Sequence, residues 1–266
     1  MFQSWSSFLS FKEKVEHEER YFYNKDVQEF LDEVIITASE RIEFVPMGQR
    51  YWRAQLGSDE VPCYDFNGTL VDYNPVPYTV KRMKPLPDKV SEGRVNPKGI
   101  PYLYLATDEK TAVSEMRQWV GKYITLAEFE TCRDLKLVDC SRCDIDPMNT
   151  TVHDLDMLWK LKPPEAQETT LTVWRWIDMA FSKPVDRCDS SADYVSTQII
   201  AELFKKNGFD GVKYRSLFNG GKNIALFDID SAKQRENSAK VIQITKMDLD
   251  FKQVHPLLMK KELNRK

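Results

Sequence analysis

Cysteine and histidine are scarce in this chain of 266 residues, and their placement excludes more than their number. Five cysteines, an odd count, make no disulfide framework. Cys140 and Cys143 form a C-x-x-C, with Cys132 and Cys188 as the conceivable extra ligands of a zinc site. A four-cysteine zinc site presents two short-spaced pairs, and only one is here. The cysteines therefore read as free thiols, Cys140 ending a strand-like LKLVDC. His17, His153 and His255 are scattered without ligand spacing, so no metal is expected.

Long apolar runs are also missing. The N-terminus has no unbroken stretch of signal-peptide length, charge enters by Lys12, and no later segment approaches a membrane span. A soluble, cytoplasmic protein is expected. The net charge of −3 and pI near 5.8 supply no one-signed field. Neither nucleic acid nor a membrane surface is an expected partner. G-x-G-x-x-G, the P-loop, H-E-x-x-H and G-x-S-x-G are all absent.

What is present suffices for a packed core, with 42% hydrophobic and 12% aromatic residues. Phe8, Phe11 and Val15, then Val27, Phe30, Leu31 and Val34, recur at helical spacing, predicting a helical lead-in over 5–41 that packs on the main domain. Residues 51–55 read as a strand ending at Gly57. The stretch 61–101, rich in proline and glycine, reads as a functional loop or lid. A strand over 102–106 follows, then a helix that Thr107 caps and that carries Ala112, Val113, Met116, Trp119 and Val120. Residues 135–138 form a short strand, and 144–191 a polar segment leading into a helix through 173–177. A helix over 194–206 stops at Asn207-Gly208. Strands over 211–216 and 223–228 flank a Gly220-Gly221 turn. The divisions are a helical extension (1–49), a mixed α+β catalytic domain (50–232) and a charged tail (233–266) packed on or trailing it.

Several blocks then stand out together: Tyr51-Trp52-Arg53-Ala54, Gly93-Arg94-Val95-Asn96-Pro97, Leu103-Tyr104-Leu105-Ala106 and Ala112-Val113-Ser114-Glu115. Tyr194-Val195-Ser196-Thr197-Gln198, Gly208-Phe209-Asp210-Gly211, Tyr214-Arg215-Ser216 and Asn223-Ile224-Ala225-Leu226-Phe227 complete the set. In this order they resemble the RES domain, whose namesake Arg, Glu and Ser fall on Arg53, Glu115 and Ser216. The resemblance implies an ADP-ribosyltransferase-like mixed sheet with an NAD cleft. It also implies toxin-like cleavage of the nicotinamide–ribose bond, by phosphorolysis in preference to hydrolysis, and an antitoxin or regulatory partner. NAD is then the substrate and inorganic phosphate the co-substrate, with no other cofactor. An ADP-ribosyltransferase acting on a protein, an NAD glycohydrolase and a non-catalytic nucleotide-binding module are the alternatives. The helical extension, the long loop before Arg94 and the large 144–191 segment depart from the compact toxin form.

The chemistry assigns roles within that resemblance. Glycosidic cleavage passes through an oxocarbenium-like state, and Glu115 is the carboxylate to stabilise it or hold a ribose hydroxyl. Arg53 and Arg94 suit the two phosphates, because guanidinium forks bind phosphate in bidentate fashion. Tyr104 offers a ring to the nicotinamide. Ser216 and Asn223 are donors for the ribose or an incoming phosphate. Arg50 and Arg215 adjoin these positions and read as structural neighbours. Gln198 and Glu202, one turn apart, are not a carboxylate pair, so a glycosidase site on that helix is excluded.

Overall fold

The apolar stripes near the N-terminus fold as their spacing predicts. The computed structural model describes residues 1–86, 90–142, 165–183, 191–218 and 220–247. Helix α1 (Ser7–His17) buries Phe8, Phe11 and Val15. Helix α2 (Lys25–Ala38) buries Val27, Phe30, Leu31 and Val34, and its N-cap Asn24 accepts the Val27 amide. A 3-10 turn (Ser39–Arg41) leads into strand β1 (Ile42–Val45).

The chain continues through β2 (Arg50–Leu56), the β3 (Asp59–Tyr64) and β4 (Leu70–Val76) hairpin, and the short α3 (Val80–Met83). After β5 (Leu103–Ala106) and α4 (Glu109–Ser114) come β6 (Tyr123–Thr131) and β7 (Leu135–Asp139). Helices α5 (Ala166–Ser182) and α6 (Val195–Lys206) precede β8 (Gly211–Arg215), β9 (Lys222–Leu226), β10 (Ala232–Gln234) and β11 (Lys240–Gln243). Apart from the hairpin, the strands form one mixed sheet in the order β1-β7-β8-β9-β5-β2-β6-β10, with β11 also on β6. Its β7–β8 pair is parallel. The architecture is the expected α+β class, and the sheet takes strands from before residue 50 and beyond residue 232.

Strand alternation assigns the two faces. Leu103, Leu105, Ile224 and Leu226 join Phe129 and Met83 in one core. Val212, Tyr214 and Ala225 meet α1, α2, α5 and α6 in the other, around Phe11, Phe30, Trp174, Phe181 and Phe204. Each such large side chain withdrawn from water contributes about 2 kcal/mol. Trp174 also donates its indole N–H to Thr37 at 3.0 Å, tying α5 to α2.

Three sequence expectations change. The 61–101 stretch is not simply a loop: β3 begins just before it, β4 and α3 lie within it, and Met83 and Val95 are fully buried. The helix after β5 ends at Ser114, leaving Trp119 and Val120 exposed at 70% and 55%, and Asp108 rather than Thr107 caps it. Strand β6, unassigned in the sequence, runs beside β2, β10 and β11. Cys63 and Cys132 are free thiols, and Cys140 is buried. Cys143, Cys188, His153, His255 and the tail beyond 247 lie outside the described residues.

Candidate active site

The sheet opens where the candidate residues gather. β2 pairs with β6 along its whole length but meets β5 only at Trp52 opposite Ala106. Arg53 fills the opening. Its Nε donates to the Met83 carbonyl at 2.7 Å and Nη1 to the Tyr104 carbonyl at 2.8 Å, a carbonyl that a neighbouring strand would otherwise engage. Burial pushes this guanidinium down to about 10. Among the described residues no carboxylate lies within ion-pair distance of it, so it remains a largely desolvated cation facing a cavity.

Glu115 stands at the C-cap of α4, whose N-terminus is fixed by Asp108 accepting the Thr111 amide at 2.8 Å. Two residues on, Arg117 takes a left-handed conformation (φ 49°), which turns the chain away, and its guanidinium lies 5.1 Å from the Phe218 ring centroid. The turn after β8 and the start of β9 supply two donors. Glu115 Oε1 accepts from Ser216 Oγ at 2.9 Å and Asn223 Nδ2 at 2.6 Å, and Oε2 faces Arg94 Nη2 at 3.5 Å. Gly221 permits the approach, since a Cβ there would collide with Thr111 and Asp108 of α4. A side chain at this position would push Ser216 and Asn223 away from Glu115.

Arg94 is held by its own loop. Thr197 donates to the Arg94 carbonyl at 2.5 Å, and Gln198 donates to the carbonyls of Gly93 and Asn96. Tyr104 donates its hydroxyl to Asn96 Oδ1 at 2.7 Å and accepts the Val95 amide at 3.1 Å. Burial pushes that phenol up to about 12, so it stays a neutral donor near pH 7. A Cβ on Gly93 would come within 2.8 Å of both the Tyr104 hydroxyl and Asn96 Oδ1. Arg94 also directs Nη1 to the Phe181 carbonyl at 3.3 Å, so both terminal nitrogens have protein partners.

A cavity of about 620 Å³, within the range of small-molecule sites, lies over these groups. Glu115, Arg53, Arg94, Tyr104 and Asn223 reach its wall. Ser216, 3% exposed, sits behind Glu115 and is not among the lining residues. The structure therefore gathers all six predicted residues. Ser216 donates to Glu115 and does not line the cavity, and Arg94 lines the cavity and faces Glu115. The Tyr104 hydroxyl is tied to the 93–96 loop.

Sequence reasoning gave no site role to Tyr214, Thr197 or Gln198. Tyr214 lines the cavity beside Arg94, and burial raises its phenol well above the ordinary value. All three lie inside the recognised blocks, but a residue that grips backbone carbonyls has no spacing signature. Among the described residues no group of three or more His, Cys, Asp or Glu side chains converges. No helix of the described chain is long and apolar enough to cross a membrane.

Comparison with curated proteins gives no match. Among solved structures the chain is similar to the crystal structure of the M. tuberculosis MbcT–MbcA toxin–antitoxin complex. The TM-score is 0.35 and the identity 13%, covering 81% of this chain and 94% of that one. The family model of the RES domain matches residues 74–250, which include Arg94, Tyr104, Glu115, Ser216 and Asn223, while Arg53 precedes them. The chain belongs to the RES-domain family.

Proposed function

We propose that this chain destroys NAD by breaking the bond between nicotinamide and ribose. The observation that carries the reading is Glu115, a carboxylate at the cavity wall whose donors, Arg94, Ser216 and Asn223, fix it from behind and from the side. In the reaction the ribosyl C–N bond breaks and its electron pair returns to the nicotinamide nitrogen, which leaves neutral and needs no general acid. Positive charge develops on the ribose. A fixed carboxylate stabilises that charge, or holds a ribose hydroxyl, without reorganising. Arg53, a cation without a carboxylate partner among the described residues, suits the diphosphate.

Inorganic phosphate is the acceptor we favour. A phosphate oxygen bonds to the anomeric carbon, giving ADP-ribose 1-phosphate and free nicotinamide. The resemblance to NAD-degrading RES proteins supports this choice. Toxin-like action in the cytoplasm, restrained by an antitoxin or regulatory protein, belongs to the same proposal. Expression of the wild type is then expected to slow growth and lower cellular NAD.

The test is nicotinamide release from NAD by the purified protein, with and without phosphate. Release that requires phosphate supports the phosphorylase. Release without it makes the chain a glycohydrolase. No release from NAD alone, but release accompanied by ADP-ribose labelling once an acceptor protein is added, makes it a transferase, and neither release nor labelling leaves a nucleotide-binding module.

A further inference from the structure

A second cavity of about 310 Å³ adjoins the first. Arg53, Gln55, Arg82, Gly93 and Tyr104 line both and form a waist between them. Glu115 and Asn223 belong only to the first lobe, whereas Lys84, Ser91, Glu92 and Asn96 belong only to the second. A ligand held at Glu115 and longer than one nucleoside has room to extend across this waist into the second lobe.

Arg82 is placed there by a stack of fixed parts. It belongs to α3, whose Met83 carbonyl receives the Arg53 Nε. Its guanidinium lies 5.0 Å from the centroid of the Tyr78 ring, and Tyr78 donates its hydroxyl to the Leu56 carbonyl at 3.0 Å. Lys84, a cation confined to the second lobe, is paired with Asp230 at 2.7 Å, and Glu92 adds negative charge. Arg82 has no carboxylate within ion-pair distance among the described residues. Among the described residues the waist thus presents two guanidinium groups without carboxylate partners, one half-buried and one at the rim, where a diphosphate linking two nucleoside halves would lie.

We infer that Arg82 is a specificity-determining residue that grips the diphosphate at the waist and selects a dinucleotide over a mononucleotide. The inference rests on the NAD-cleaving reading for the orientation of the ligand, with the nicotinamide riboside half in the lobe of Glu115. A mononucleotide fills that lobe and leaves the far side of the waist empty. Arg82 then acts on binding of the longer ligand and not on the bond that breaks.

Nicotinamide release from NAD and from nicotinamide mononucleotide is compared for the wild type, Arg82→Ala and Arg82→Lys. Arg82→Ala is expected to raise KM for NAD roughly tenfold, the loss of one charge-assisted contact, while kcat and mononucleotide cleavage change by less than about twofold. Lysine is expected to recover part of the loss, as a point charge without the planar fork. An unchanged KM for NAD, or an equal loss on both substrates, overturns the assignment. Calorimetric titration with ADP-ribose separates the two readings. A wild type that cleaves nothing yet binds ADP-ribose through Arg82 keeps this inference and sinks NAD cleavage. Binding that ignores Arg82, or no binding at all, sinks the inference.

Discussion

Two arginine–carboxylate clusters lie near the C-terminal end of β8, one open to a cavity and one sealed. Tyr214 and Ser216 face the cavity wall and Glu115, and Arg215 between them turns to Asp178 of α5. In the sealed cluster Arg215 donates from Nε at 2.9 Å and from its backbone amide at 3.2 Å, and the Asp178 side chain is only 4% exposed. Neighbouring Asp139 receives the Ser141 hydroxyl and amide and lies 3.6 Å from Arg142. In the open cluster the guanidinium stands 3.5 Å off, neutral donors take Oε1, and the Glu115 side chain keeps 17% exposure. Pairing of arginine with a carboxylate therefore takes two forms. The closer contact ties α5 to β8 through a buried carboxylate, whereas the longer one leaves the Glu115 carboxylate at the cavity wall.

The largest effect expected from this contrast is on catalysis. Glu115→Gln removes the charge while keeping the shape. Nicotinamide release is expected to fall about a thousandfold, with stability to urea changed by less than about 1 kcal/mol. A variant that keeps its activity makes Glu115 another structural carboxylate, and the contrast between the clusters disappears.

The sealed cluster should respond in the opposite sense. Burial raises the Asp178 carboxyl above the ordinary range, while contacts from Arg215 pull it back. Asp178→Ala removes the carboxylate that ties Arg215 to α5 and is expected to cost about 2 kcal/mol in urea unfolding. The rate per folded molecule should stay within about twofold. Replacing both partners, Asp178→Leu with Arg215→Met, should restore most of the stability, because the desolvation penalty goes with the pair. Loss of activity in a folded Asp178→Ala protein would make the sealed cluster part of the site.

Much of this arrangement is legible in the sequence, and the parts that are not have physical reasons. The stripes of α1 and α2, the strands around Arg53 and Tyr104, and helix α6 stopping at Asn207 follow from periodicity and end signals. The β3–β4 hairpin is hidden by Pro62 and Pro75, which sit opposite Tyr73 and Glu60 in a two-stranded sheet whose outer edges need no proline N–H. Helix α4 reads too long because Val113, Met116, Trp119 and Val120 keep helical spacing after the backbone has turned at Arg117. The duties of Ser216 and Arg94 depend on what lies behind Glu115, a matter of burial and distance across 101 and 21 residues of chain. Spacing can nominate such residues but cannot say which of them meets the ligand.

The smallest predicted effect lies at the other end of α4 and depends on pH. Desolvation pushes the Asp108 carboxyl up, but the Thr111 hydroxyl and amide outweigh it and hold the group below the ordinary carboxylate range. Between that lowered value and the unfolded one, near 3.9, the unfolded chain binds more protons. The stabilisation is therefore complete above the unfolded value and is lost as pH falls through the folded one. Asp108→Ala is expected to cost about 1 kcal/mol at neutral pH, as for an N-cap, and progressively less in acid as the wild type loses its own advantage. Asp108→Asn, which keeps the acceptor without the titrating charge, should retain most of the stability and flatten that acid limb. Activity should fall by less than about threefold in either variant, because the Ser216 and Asn223 hydrogen bonds that hold Glu115 do not involve Asp108. A larger fall would mean that the open carboxylate is positioned mainly by its short helix, and that the looseness distinguishing it from Asp178 originates in α4.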